Sequence, residues 1–108
     1  MPPAAAPAAA WHVYMLLCRG GRIYTGVTPD VAARFARHRA GQGGAFTRSF
    51  PPLRVLAAMA CEDRSAALKT EHALKQLARA DKQRWARAWR WRPATRSPPA
   101  GSGPRRSG

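Results

Sequence analysis

Two short apolar runs held apart by a pair of glycines constrain this chain more than any other feature. His12 to Cys18 (HVYMLLC) is most easily a buried strand, and Arg22 to Val27 (RIYTGV) is a second run rich in β-branched and aromatic residues. Arg19-Gly20-Gly21 between them supplies the glycines that a tight hairpin needs. The hairpin makes a geometric demand. Side chains alternate along a strand, so a strict two-residue Gly20-Gly21 loop puts Tyr14 and Tyr24 on opposite faces of the sheet. If both tyrosines serve one site, the loop holds an odd number of residues or the ladder carries a bulge.

Thr28-Pro29-Asp30 follows as a helix start, with Thr28 as N-cap, Pro29 at the first helical position and Asp30 against the N-terminal dipole. In the helix it opens, Val31, Arg34, Phe35 and His38 share one side at 3.6 periodicity. Val31 and Phe35 are the core anchors, Arg34 and His38 line the edge beside them, and Gly41 ends the helix. Gln42 to Pro52 is expected as a loop. Leu53 to Cys61 (LRVLAAMAC) is expected as a third strand. Asp63 or Ser65 caps a second helix running to about Ala80, with Ala67, Leu74, Leu77 and Ala78 as its apolar stripe. Asp81 then restarts a shorter helix in which Trp85 and Trp89 share a face until Pro93 stops it. The order β-β-α-β-α-α implies an α+β fold, a three-stranded antiparallel sheet flanked by helices.

The chain has 108 residues, enough for one small domain. Residues 1–10 contain only Met, Pro and Ala, without the basic and apolar regions of a signal peptide, and are expected as a disordered leader. Residues 93–108, dominated by Pro, Ser, Gly and Arg, are expected as a flexible basic tail, leaving 11–92 to fold. No apolar run approaches the roughly 20 residues that span a bilayer. Cys18 and Cys61 sit in apolar runs and are expected as small buried thiols of a cytoplasmic protein, without a disulfide. No Cys-x-x-Cys or His-x-x-x-His spacing supports zinc. Nineteen basic against five acidic residues, a formal charge of +14, point to a polyanion: nucleic acid first, an anionic membrane as the rival. The spread of basic residues along the whole chain disfavours the membrane, because a lipid-facing helix gathers them.

The five carboxylates limit the chemistry. Asp30, Asp63 and Asp81 each stand at a helix start, where capping and the dipole account for them, and Glu62 is beside Asp63 in a turn. Glu71 alone lies mid-helix, at the border of the apolar stripe. By pattern alone it is an exposed partner of Lys75 at i, i+4, worth about 0.2–0.5 kcal/mol. A two-metal nuclease needs several convergent carboxylates, so this inventory excludes that class but leaves room for one hydrated Mg²⁺. Arg34 and His38, one turn apart, are placed to address one phosphate, Arg34 as a charge clamp and His38 as a proton carrier or hydrogen-bond donor. Read singly, the arginine is a solvated helix face, the histidine structural, and the two tyrosines half-buried sheet aromatics.

Together, Val13-Tyr14-Met15, Tyr24-Thr25-Gly26, Arg34 and His38 resemble the GIY-YIG nuclease family, most closely its small stand-alone bacterial branch. The words read VYM and YTG where the family has GIY and YIG. Gly43-Gly44-Ala45-Phe46-Thr47-Arg48 is similar to the family's G-A-x-Y-T-R segment, with Phe46 in place of the tyrosine. Glu71, Leu74-Lys75, Leu77, Arg79 and Lys82 match the small members' E-x-x-L-K-x-L-x-R-x-x-K pattern. The asparagine found beyond the glutamate in larger members has no counterpart, since the chain contains none.

The resemblance implies a divalent-metal-dependent endonuclease that hydrolyses phosphodiesters, DNA before RNA, with one Mg²⁺ or Mn²⁺ on Glu71. Arg34 would offset charge on the nonbridging oxygens, and Tyr14, assisted by Tyr24 and His38, would accept or relay the proton of the attacking water. Tyr14 would need neighbouring positive charge for this, because an ordinary phenol is a poor base at neutral pH. Gly44, Thr47, Arg48, Lys75 and Lys82 would contact nucleic acid. The alternative is a basic binding module of the same fold with weak or no catalysis. Oligomeric state has no signature in the sequence.

Overall fold

The computed structural model describes residues 10–91. The expected tail and, Ala10 apart, the expected leader lie outside the described residues. Strands β1 (Trp11–Cys18), β2 (Arg22–Thr28) and β3 (Pro52–Cys61) form one antiparallel sheet in the order β2-β1-β3. Helices α1 (Val31–Arg39), α2 (Ala45–Ser49), α3 (Arg64–Lys75) and α4 (Arg79–Ala88) flank it. The fold is α+β, as expected.

β1 is central, and this explains its unbroken apolar run. Val13, Tyr14, Met15 and Leu16 are all buried because both sheet faces are covered at that point. On one face Val13 and Met15 pack with Ala57, with Ala67 and Leu74 of α3, and with Ala86 of α4. On the other face Tyr14, Leu16 and Cys18 pack with Val55 and with Val31 of α1, bordered by Tyr24, Phe35 and Phe50. Both cysteines are free thiols.

The hairpin answers its geometric demand with an odd loop. Cys18 pairs with Arg22, leaving the three residues Arg19–Gly21 as a single 3₁₀ turn. Gly20 and Gly21 both adopt positive φ (79° and 76°), the region that disfavours a side chain. In this register Tyr14 faces Gly26 and Leu16 faces Tyr24, so the two tyrosines share a sheet face.

Several boundaries differ from the sequence expectation, each for a local reason. Asp30, not Thr28, is the N-cap of α1: its carboxylate accepts from the Ala33 amide at 3.1 Å, while the Thr28 hydroxyl accepts from the Asp30 amide at 3.1 Å and closes the turn before it. The C-terminus of α1 is a Schellman motif at Gly41, with Gln42 N–H donating to Arg37 and Gly41 N–H to His38. The expected loop contains the short helix α2. α3, capped by Asp63, ends at Lys75 instead of near Ala80, where the amides of Gln76 and Leu77 tighten onto the carbonyls of Ala73 and Leu74. Trp85 packs against the core, but Trp89 is 45% exposed and does not close it. The chain after α4 instead runs along the free edge of β3, with Ala58 N–H donating to Trp89 and Trp91 N–H to Leu56, which covers that edge.

Candidate active site

The side chains on the Tyr14 face form a buried polar chain. The Tyr14 hydroxyl lies 3.0 Å from Nε2 of His38, and Nδ1 of His38 lies 2.8 Å from the Thr47 hydroxyl. Each comes from a different element: β1, the last turn of α1 and α2. All three are essentially inaccessible, at 1% exposure each. Two glycines make the arrangement fit. Gly26 pairs with Tyr14 across the hairpin, and a Cβ there would stand 2.7 Å from the Tyr14 hydroxyl. A Cβ at Gly43 would stand 2.0 Å from Nδ1 of His38. Gly26 was legible as part of a motif. Gly43 was not singled out from its neighbour, since its requirement arises only when α1 and the following loop meet.

Tyr24 lies beside this chain, its ring centroid 5.0 Å from that of His38 and 6.3 Å from that of Tyr14. Phe46 and Phe50 continue the aromatic row, and the Arg22 guanidinium stands 4.0 Å over the Phe50 ring. Tyr24 is only half-buried and Phe46 is exposed, so this row is the accessible border of the site.

Electrostatics brings in the two remaining members. Burial pushes the Tyr14 phenol well above its ordinary value, and the neighbouring Tyr24 adds to the rise. The Arg34 guanidinium acts in the opposite direction without overcoming burial, and Glu71 adds a weaker rise. Arg34 and Glu71 therefore both stand within electrostatic reach of the Tyr14 hydroxyl. Arg34 is half-buried. The Glu71 side chain is 18% exposed and holds Lys75 Nζ at 3.3 Å, so the expected i, i+4 pair exists but does not project into open water. Burial, with help from Arg34 and Arg37, lowers the basicity of His38 below its ordinary value of 6.5 and keeps it neutral at pH 7.

Tyr14, Tyr24 and His38 thus meet in direct contact, Arg34 acts on the Tyr14 hydroxyl from α1, and Glu71, on a helix that packs on the opposite sheet face, acts on it only weakly through its charge. Two sequence expectations are corrected. His38 does not address a phosphate, because it is buried and both ring nitrogens are engaged. Thr47 does not contact nucleic acid, because its buried hydroxyl holds His38. Tyr14 has the positive neighbour that its role would require, Arg34, but desolvation outweighs it and the net shift is upward. Of the other expected contacts, Gly44 and Arg48 are exposed near the aromatic row, Gly44 with open space around its Cα. Lys75 stands beside Glu71. Lys82 lies on α4, which like the α3 helix of Glu71 and Lys75 packs on the opposite sheet face, and unlike Glu71 it has no charge effect on Tyr14 that would tie it to the site.

Among the described residues, no three His, Cys, Asp or Glu side chains cluster as a metal cage. The donor set suits one hard cation that keeps most of its water and takes a single carboxylate, Glu71. No helix among the described residues is long and apolar enough to cross a membrane.

Comparison with known proteins agrees with this geometry. Residues 10–84 match the family model described as the GIY-YIG catalytic domain. The chain is 54% identical to the UPF0213 protein of Cupriavidus pinatubonensis over 67% of its own length and 80% of that relative. It is 46% identical to a UPF0213 protein of Xanthomonas campestris over 82% and 86% of the two chains. The solution NMR structure of a UPF0213 protein from Bacillus halodurans is similar at 34% identity, with a TM-score of 0.48, over 73% of this chain and 84% of that one. The family-model match over residues 10–84 and the two UPF0213 relatives show that the chain belongs to the GIY-YIG family of nuclease domains and groups with its small UPF0213 members.

Proposed function

We propose that the protein is a divalent-metal-dependent endonuclease that hydrolyses phosphodiester bonds, with DNA the expected substrate. The observation that carries this reading is the Tyr14–His38–Thr47 chain, with the charges of Arg34 and, more weakly, Glu71 acting on the Tyr14 hydroxyl. A neutral imidazole donates from one nitrogen and accepts at the other. With Nδ1–H donating to Thr47, Nε2 is free to accept from the Tyr14 hydroxyl. The phenol oxygen then keeps acceptor capacity for a water, which substrate binding at the accessible Tyr24–Phe46 border must admit, since the free chain leaves Tyr14 only 1% exposed. As that water attacks phosphorus, Tyr14 takes its proton while passing its own to His38, so no free phenolate forms and the raised phenol value is no obstacle. Arg34 offsets the charge on the nonbridging oxygens. Glu71 would hold Mg²⁺ or Mn²⁺, which supplies Lewis-acid stabilisation of the phosphate and leaving oxygen. Arg48 and Gly44 would meet the nucleic-acid backbone, where a glycine permits close approach.

A second reading, a nucleic-acid-binding module with weak or no catalysis, is favoured by two observations: Glu71 already has Lys75 as a partner, and Tyr14 is buried. Incubation with labelled duplex, branched and single-stranded DNA and RNA in Mg²⁺ or Mn²⁺ separates the readings. The nuclease reading expects cleavage that EDTA and Glu71→Ala abolish. Binding without cleavage of any substrate would establish the second.

A further inference from the structure

The opposite face of the sheet carries a cavity that the hydrolytic site does not use. It is a half-open concavity of about 370 Å³ between α4 and the strands, within the size range of small-molecule sites. Its floor is apolar: Leu17, Ile23, Leu56 and Ala86. Its rim carries four guanidinium groups, from Arg54, Arg79, Arg87 and Arg90, and the amide of Gln83, with no carboxylate.

Two features set this cavity apart from an ordinary basic surface. Arg79, Gln83, Ala86, Arg87 and Arg90 follow helical spacing, so one side of α4 and the turn after it face the cavity. A helix side turned toward a sheet is normally filled with large apolar residues. Here Trp85 packs on the core at one flank, but the side turned to the cavity offers only Ala86 as an apolar group. Among the described residues, the ion pairs are Lys75–Glu71 and Arg84–Asp81, so none of the four rim arginines has an acidic partner. Like charges around one concavity raise the energy of the empty state and favour an anion there. Arg79 also reaches back to the hairpin, where its Nη2 would stand 3.4 Å from a Cβ at Gly21.

We propose that this cavity is a nucleotide-binding site, with the phosphates on the arginine rim and the base on the Leu17–Ile23–Leu56 floor. Guanidinium groups suit phosphate through paired N–H donors. Gln83 offers both a donor and an acceptor to a base edge. A concave site with an apolar floor suits an unpaired base with its phosphates. That nucleotide unit is either a free nucleotide or an unpaired nucleotide of a strand, and the test separates the two.

The test titrates the full ¹⁵N-labelled chain with pyrophosphate, with ADP and with a short single-stranded oligonucleotide. ADP is expected to move the amides of Arg54, Gln83 and Arg87 and to leave those of Gly26 and Arg34 in place. It is expected to bind more tightly than pyrophosphate, because only ADP uses the floor. Substituting two exposed arginines, Arg54→Ala with Arg87→Ala, should weaken ADP at least about tenfold, given the usual strength of charge-assisted hydrogen bonds. Arg34→Ala should leave ADP binding unchanged. Ala86→Leu, which fills the floor without altering charge, should remove the preference for ADP over pyrophosphate. If the oligonucleotide moves the same amides and ADP does not, the nucleotide unit comes from a strand and the site stands. Failure of all three ligands to move these amides, or equal loss of ADP binding in Arg34→Ala, would overturn it.

Discussion

A Cβ at Gly43 would meet the His38 ring at 2.0 Å, although Gly43 is outside the positive-φ region that needs glycine. Its requirement is therefore the histidine itself. Gly43→Ala should destabilise the wild-type chain, and much of that cost should vanish in a His38→Ala background, as a double-mutant cycle by chemical denaturation would show. Additive costs would mean that the loop, and not the ring, needs the glycine. Thr47→Val removes the partner of His38 Nδ1 at nearly constant volume and should cost about 1–3 kcal/mol, the range for a buried polar group left unsatisfied. Thermal or denaturant unfolding reads this directly.

The pH response of His38 has a defined sign. Its folded value lies below the ordinary 6.5, so the unfolded chain binds the proton more readily. Its stabilising contribution is complete above pH 6.5 and is lost as pH falls below that value toward the folded one. Cleavage should show an acid limb whose midpoint lies below 6.5, since a protonated imidazole no longer accepts from Tyr14. A pH–rate profile flat through this region would remove His38 from the relay.

At the scale of elements, the caps decide where the site residues stand. Asp63 accepts from the Ala66 amide at 2.8 Å and fixes the start of the helix that carries Glu71. Asp63→Ala should cost about 0.5–2 kcal/mol, the usual loss for an N-cap, without a change in single-turnover cleavage by the folded fraction. The sheet, its hairpin and the long helices were legible because their signals are local: continuous apolar runs, glycines at the turn, an aspartate before a periodic segment. Even the shared face of Tyr14 and Tyr24 followed from counting residues, once an odd loop was recognised as the condition. The break between α3 and α4 was misplaced because neither glycine nor proline marks it. α2 was missed because five residues carry no helical period. The burial of Thr47 was missed for a different reason: it is a polar residue in a polar stretch, and only packing of α1 against α2 turns it inward onto His38, whose place on the core side of α1 the helical period had already marked.

For the whole molecule, the formal charge of +14 and the scarcity of ion pairs among the described residues leave most basic groups available to a polyanion. Nucleic-acid affinity should fall steeply with salt, and Arg48→Ala should lower the slope of log K against log salt by about one phosphate contact. These effects would be shared by a protein that only binds. Chemistry is separated from charge by Glu71→Gln, which keeps shape while removing the one carboxylate in reach of the Tyr14 hydroxyl. The decisive measurement is single-turnover cleavage in Mg²⁺ beside equilibrium binding to the same labelled substrate, wild type against Glu71→Gln. The account predicts that cleavage disappears while affinity is equal or higher, because a negative charge facing phosphate has been removed. Cleavage by Glu71→Gln at the wild-type rate would contradict it.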